Sequence, residues 1–285
     1  MGYLTLKDIN YKYPLDEQNV LKNINIEIEK GDFLAIIGNN GSGKTTLCNV
    51  LRGFIPNFYK GNLTGEVVFD GKSLSEYTPG EIAGKMGFVF QNPFTQISGV
   101  KETVYEEIAF GLENLGLEVG YIKKRVEEIL EMLEIENLRE RNPYELSGGQ
   151  GQKVALASII AMDPEVLIID EPTSQLDPKG TEDVFRIISM MSEKGKTIIL
   201  VEHKLELISE YARNIVVMDR GEIILNGKTE NILTDKMLLQ KEIGMTQYTL
   251  LGYELIKEKG IRFDRIPVTK KNIIEELEKT QVVRI

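Results

Sequence analysis

The chain has 285 residues, 42% hydrophobic and 27% charged, enough for one large domain, alone or with a small one, and a composition that excludes a mainly disordered, collagen-like or coiled-coil protein. With 34 Lys plus Arg against 44 Asp plus Glu, the net charge is −10, which excludes a basic surface for nucleic acid or anionic lipid. No run reaches the roughly 20 apolar residues of a spanning helix, the start Met1 to Asp8 lacks a basic or apolar leader, and the single Cys48 has no intrachain disulfide partner, so a cytoplasmic location is expected.

Ile24, Ile26 and Ile28 alternate with polar residues, and Lys30-Gly31 turns the chain into the apolar run Phe33 to Ile37, predicting two strands. A glycine-rich loop follows, then a helix over Thr45 to Leu51. The segment containing Pro56, Asn57, Gly61 and Asn62 reads as a loop before a strand at Glu66 to Phe69. Ile122, Val126, Ile129, Leu130 and Leu133 recur at helical spacing, with Lys123 before Glu127 and Lys124 before Glu128 on the solvated face. From Val154 the signals alternate: a helix through Met162, a strand Val166 to Ile169, a helix Gly180 to Met191 and a strand Thr197 to Val201, the pattern of a parallel sheet. Asp219-Arg220-Gly221 reads as a hairpin turn that closes this domain near residue 235. The remaining 50 or so residues hold two amphipathic patterns, one on Tyr248, Leu251, Leu255 and Ile256, the other on Ile273, Ile274 and Leu277, separated by Pro267.

Gly38-Asn39-Asn40-Gly41-Ser42-Gly43-Lys44-Thr45 is a full phosphate-binding loop between strand and helix. Its glycines let backbone N–H groups face phosphates at a helix N-terminus, Lys44 reaches the outer phosphates and the Thr45 hydroxyl suits Mg²⁺. Val166 to Ile169 delivers Asp170 and Glu171 at a strand end, where open α/β sheets place ligands. Asp170 is expected to hold the metal and Glu171 to act as general base toward the attacking water. Leu146-Ser147-Gly148-Gly149-Gln150 read alone is equally a capped helix start, and the lone His203, after the strand Thr197 to Val201, read alone is equally a structural histidine.

Together with Gln91, Ser174-Gln175-Leu176-Asp177 and His203, these motifs closely resemble, in order and spacing over residues 1–235, the nucleotide-binding subunit of ABC (ATP-binding cassette) transporters. The resemblance implies a P-loop NTPase α/β fold: a RecA-like parallel sheet, an antiparallel β subdomain and a helical subdomain at about 92–160, followed by a small helical extension over 236–285. It implies ATP and Mg²⁺ as cofactors, with Asn39, Gly41, Ser42, Gly43, Lys44, Thr45 and Thr46 around the nucleotide and Tyr13 stacked on adenine. Tyr11 is then the neighbour that packs inward. Thr45, Gln91 and Asp170 are the implied metal residues; Glu171, His203 and Gln91 are the implied catalytic ones. A head-to-tail dimer follows, in which Ser147, Gly148, Gly149 and Gln150 of one subunit cover the ATP of the other and Asp177 passes between the two sites.

Several segments look like the ATPase subunits of energy-coupling factor importers for vitamins and for cobalt or nickel: Ile55 to Tyr59, Phe90 to Pro93, Glu107 to Asn114, Glu171 to Pro178 and Val201 to Glu206. Tyr253-Glu254-Leu255, Lys259-Gly260 and Pro267-Val268-Thr269 are similar to the small C-terminal region that holds two such subunits together; plain stabilising helices are the alternative. There are departures. Gly151 stands where a longer polar residue is usual, Lys153 replaces an arginine, and Glu202 and Lys204 flank the histidine in place of threonine and an acid. Successive strand side chains face opposite ways, so His203 still reaches the site. The expected partners are a second ATPase subunit, identical or different, a membrane-embedded transporter subunit and a substrate-binding membrane subunit, with no nucleic acid. The chain is then peripheral on the inner face of the cell membrane. The rival readings are a soluble ABC ATPase of the iron–sulfur cluster assembly type and a nucleotide-sensing regulator.

Overall fold

A computed structural model describes residues 2–280. The first part of the chain forms β1 (Leu4–Lys12), β2 (Leu21–Ile28), β3 (Phe33–Gly38), α1 (Lys44–Leu51), a single turn α2 (Phe54–Asn57), β4 (Asn62–Phe69), β5 (Lys72–Ser73), α3 (Pro79–Lys85) and β6 (Met86–Val89). A helical section follows, with α4 (Val104–Asn114), α5 (Val119–Met132) and α6 (Gly148–Ala161). The chain then returns to the sheet through β7 (Val166–Asp170), α7 (Pro178–Glu193), β8 (Thr197–Val201), α8 (Leu205–Tyr211), β9 (Asn214–Asp219) and β10 (Glu222–Lys228). It ends in α9 (Thr229–Leu233), α10 (Met237–Gln240), α11 (Gln247–Lys259) and α12 (Lys270–Lys279).

Two sheets result. One is antiparallel, in the order β2-β1-β4-β5; the other has six strands in the order β10-β9-β3-β8-β7-β6, parallel except for the β9–β10 hairpin. The hairpin has a two-residue turn, since Asp219 pairs with Glu222 and both Arg220 and Gly221 have positive φ, 47° and 84°, as a type I′ turn requires. The apolar runs that form β3, β7 and β8 are buried throughout, as expected of parallel strands covered on both faces. Alternation divides them: Ala35, Ile37, Leu167, Ile169, Ile198 and Leu200 pack toward α4 to α7, while Leu34, Ile36, Val166, Ile168, Ile199 and Val201 pack toward Leu47, Cys48 and Leu51 of α1 and the antiparallel sheet. Each Val, Leu or Ile side chain among them is worth about 1.5–3 kcal/mol on burial.

The strand expected at Glu66 begins earlier, at Asn62. Gly65, at φ 93°, allows this: a Cβ there would lie 2.4 Å from the Lys7 carbonyl oxygen, next to the register shift between Lys7 and Asn10. In the C-terminal extension both helices occur, yet α11 buries the flank of its apolar pattern, with Tyr248 and Leu255 only half-buried. It buries Thr249 and Gly252, whereas Leu250 and Leu251 are 42% and 46% exposed. The packing partner is backbone: the Thr246 hydroxyl donates to the Val268 carbonyl at 3.0 Å and the Thr249 hydroxyl to that of Pro267 at 3.0 Å. A Cβ on Gly252 would meet the Pro267 ring at 2.9 Å, so only a small residue admits the close approach. In α12 Ile273 is buried as the pattern predicts, and Glu276 beside it is buried too, accepting from the Asp264 amide and from Lys279.

Candidate functional site

Strand pairing converges on one edge of the parallel sheet. Asp170 lies opposite Val201, Val89 opposite Ile169 and Ile36 opposite Val201, so β3, β6, β7 and β8 end together. Their next residues are the glycine-rich loop, Gln91, Glu171 and His203. Sequence separations of 80 and 32 residues collapse into direct contacts: Gln91 Nε2 donates to Glu171 Oε2 at 2.8 Å, and His203 Nε2 lies 2.8 Å from Glu171 Oε1. Glu171 has φ 46°, an uncommon backbone state for a non-glycine residue that often marks a functional position. Its amide is fixed by the Val201 carbonyl at 3.0 Å.

In the loop, Gly38 has φ 147°, and a Cβ there would fall 2.2 Å from the Met218 carbonyl oxygen, so the strand-to-loop bend admits glycine alone. Lys44 is buried, with its ammonium on the Gly38 and Asn39 carbonyls at 2.9 and 3.2 Å. Burial lowers its pKa, against the opposing field of Glu171 and Asp170. Ser42 Oγ is buried with no partner. A cleft of about 430 Å³ is lined by Val20, Asn40, Gly41, Gly43, Lys44, Thr45, Thr46, Gln91 and Glu171. Tyr11 is fully buried. Tyr13 stands against it edge to face, centroids 4.9 Å apart, with its hydroxyl 3.2 Å from Thr46 Oγ1, at the start of α1. Cys48 is buried and free, a packing residue of α1.

Asp170 Oδ1 is buried without a hydrogen-bond partner, and the Thr45 hydroxyl opposes the upward shift that burial gives this carboxyl. A hard divalent cation takes such oxygen donors, so the pair fits Mg²⁺. Among the described residues no group of three or more His, Cys, Asp or Glu forms a self-sufficient metal cage. Burial raises the Asp170 pKa. A carboxyl with a raised folded-state pKa contributes stability that is complete below its unfolded value and lost as pH rises through the folded one. Near neutral pH its ionised form is therefore a net cost. Asp170→Asn is expected to raise the melting midpoint of the ligand-free chain at pH 7 by about 2–4 °C, for roughly 1 kcal/mol. The gain should shrink as the pH falls toward the usual carboxyl range, and the extra protection that Mg²⁺ gives with ATP should be lost. Calorimetry with and without Mg²⁺ reads both, and an unchanged or lower midpoint speaks against a carboxylate whose ionised form burial disfavours.

The Ser147 to Gln150 segment stands elsewhere. Ser147 caps α6, its Oγ accepting from the Gln150 amide while Gln150 Oε1 accepts from the Ser147 amide. Gln150 thus uses its side chain in the cap, leaving the hydroxyl and the N-terminal amides of Gly148 and Gly149 as the outward group. A recess of about 350 Å³ joins Ser147, Gly149 and Gln150 to Asp177, and Asp177 caps α7 by accepting from the Gly180 amide at 2.7 Å. This recess shares no lining residue with the cleft at Lys44. Gly151 packs toward Phe94, 3.5 Å from a Cβ built on it, and Lys153 pairs with Asp183, so both departures from the usual pattern have local partners.

Asn39 differs from expectation. Its side chain donates to the Lys241 carbonyl at 2.8 Å, and Lys241 pairs with Asp219 at 2.7 Å, so it faces the segment after α10 rather than the cleft. Sequence reasoning missed Lys241, 202 residues away, and Val20 of the cleft; no local signal marks either.

The ABC transporter family profile matches residues 21–174. A putative ABC transporter ATP-binding protein of Pyrococcus horikoshii is 41% identical over 280 residues, 97% of each chain. The energy-coupling factor transporter ATP-binding protein EcfA2 of Streptococcus pyogenes serotype M3 is 37% identical, over 96% of this chain and 98% of its own. Among solved structures, cbiO1 from Clostridium perfringens, part of the ABC transporter complex cbiONQ, aligns at a TM-score of 0.73 and 34% identity, over 84% of this chain and 94% of its own. A dimeric ATP-binding cassette in a post-hydrolysis state with ADP and Pi aligns at 0.69 and 30%, over 79% and 98%.

Proposed function

The chain belongs to the ABC transporter family of ATP-binding proteins, which are ATPases, and from that premise we propose that it powers an importer of the energy-coupling factor type, for a vitamin or a transition metal ion. The similarity to EcfA2 and to the cbiO1 subunit of cbiONQ supports this reading. So does the run of importer-like segments from Ile55 to Glu206. The chain acts as a head-to-tail dimer with an identical or related subunit. ATP lies in the cleft at Lys44 of one subunit beneath Ser147, Gly148 and Gly149 of the other, with Asp177 between the two sites. Residues 1–235 form the ATPase domain, and 236–285 form a dimerisation region. On that extension Leu250, Leu251, Ile256 and Ile274 are exposed apolar side chains.

The single observation that carries the catalytic reading is the Glu171 carboxylate, 16% exposed and gripped by Gln91 and His203 beside the phosphate loop. Lys44 and the loop amides hold the phosphates. Thr45 and Asp170 would hold Mg²⁺, which would supply charge neutralisation at the phosphates. Glu171 orients the attacking water and takes its proton, while His203 and Gln91 fix the carboxylate and the water at the γ-phosphate. Tyr13 offers its ring to adenine from its place beside Thr46.

No described helix is long and apolar enough to cross a membrane, so a membrane-embedded transporter subunit and a substrate-binding membrane subunit complete the importer on the inner face of the membrane. The test is affinity purification of the tagged chain from gently solubilised membranes of its own cells. Co-purification of a polytopic membrane protein together with a small one is expected. Soluble partners alone, with no enrichment in membranes, would instead support iron–sulfur cluster assembly.

A further inference from the structure

Beneath the hydrolytic pair lies a second set of contacts made by the two residues that flank His203. Glu202 is 3% exposed and points away from the cleft. Its Oε2 accepts the Thr173 hydroxyl at 2.6 Å. Its Oε1 accepts the backbone amides of His203 at 2.8 Å and Lys204 at 3.2 Å. Thr173, 1% exposed, is two residues beyond Glu171. Glu171, Pro172, Thr173, Glu202 and His203 therefore form a closed circuit, completed above by the 2.8 Å contact between the Glu171 and His203 side chains. Lys204 extends the circuit, donating to Thr181 Oγ1 of α7 at 2.9 Å and to the Thr173 carbonyl at 3.4 Å.

We propose that Glu202 is a positioning residue for ATP hydrolysis: its carboxylate clamps the backbone that carries His203 to the segment that carries Glu171. A buried carboxylate with three donors is a stiff strut, because each donor lost leaves a desolvated acceptor. Without it, the residues beyond the Asp170–Val201 pair are held to one another by the Glu171 amide on the Val201 carbonyl, the long Lys204 contact and the side-chain pair, whose histidine is 44% exposed. The inference rests on Glu171 and His203 being the hydrolytic pair.

The test is steady-state ATPase kinetics of the full chain, normalised to ATP-binding sites. Glu202→Val is expected to lower kcat about 10- to 100-fold, the scale of a small misplacement of reacting groups, with KM for ATP changed less than about threefold. Glu202→Gln, whose amide oxygen still accepts both backbone N–H groups while the Thr173 hydroxyl turns to accept, should stay within about threefold of wild type. Thr173→Val removes the same strut from its other end, so the Thr173→Val, Glu202→Val double variant should lose no more than the worse single one. A wild-type kcat per site in Glu202→Val, kcat and KM moving together, a Gln variant as slow as Val, or additive losses in the double variant would each overturn the clamp. An active Glu171→Gln would overturn the hydrolytic pair instead.

Discussion

Glu171→Gln is expected to lower ATP turnover about 10²- to 10⁴-fold, the usual contribution of a positioned general base, while ATP affinity stays within a few-fold of wild type. The substitution keeps the shape and both neighbours. A glutamine can still meet Gln91 and His203, which lie at 2.8 Å from the two carboxylate oxygens, so the fold and the cleft persist. What disappears is the basic oxygen that receives the proton of the attacking water. Lys44, Ser42 and the loop amides are untouched, so ATP still binds, and a subunit pair that closes on ATP has no chemical step by which to reopen. Single-turnover assays with equilibrium binding separate the two effects. Turnover within threefold of wild type would remove Glu171 from the chemistry.

Ser147→Arg should be almost as damaging, by another route. Ser147 lines a recess separate from the cleft at Lys44, so the variant should bind ATP normally in its own phosphate loop. Loss of the cap costs about 1 kcal/mol of stability, too little to unfold a domain of this size. Yet the substitution removes the hydroxyl and sets a long side chain over the two glycine amides at the α6 N-terminus, a ready anion site. Removing donors of this kind from a transition state costs on the order of 10²- to 10³-fold. Normal ATP affinity with turnover lost by that factor is the expected pattern. Loss of both together would place Ser147 in the same chain's cleft.

Much of this was legible in the sequence because its signals are local. The phosphate loop needs its glycines within eight consecutive residues, and Gly38 sits where only glycine clears Met218. The run Val166 to Ile169 reads as a buried strand, and the strand is buried and one residue longer, through Asp170, so the acids at its end fell where the parallel strands finish together. Gln91 and His203 were placed only by their strand ends, yet parallel register brings such ends together. What could not be read depends on distant backbone. The pattern on α11 favoured Leu251 and Ile256, but the Pro267–Val268 backbone needs the small face at Thr249 and Gly252. Asn39 reads as part of the phosphate loop, and nothing local showed that its side chain would meet the Lys241 carbonyl. Alternation along the strand end implied that Glu202 faces away from His203, but nothing nearby indicated that Thr173 would meet it there.

The central claim is that each ATP is hydrolysed between the phosphate loop of one subunit and Ser147 to Gln150 of another. The most direct measurement is the ATPase rate of wild-type chain at saturating ATP as Ser147→Arg chain is titrated into large excess, with time for subunits to exchange. The expected result is a progressive fall in the wild-type rate, because wild-type phosphate loops become paired with blocked helix ends. A wild-type rate that stays constant while mixed dimers form would contradict it, and would place the complete site within one chain.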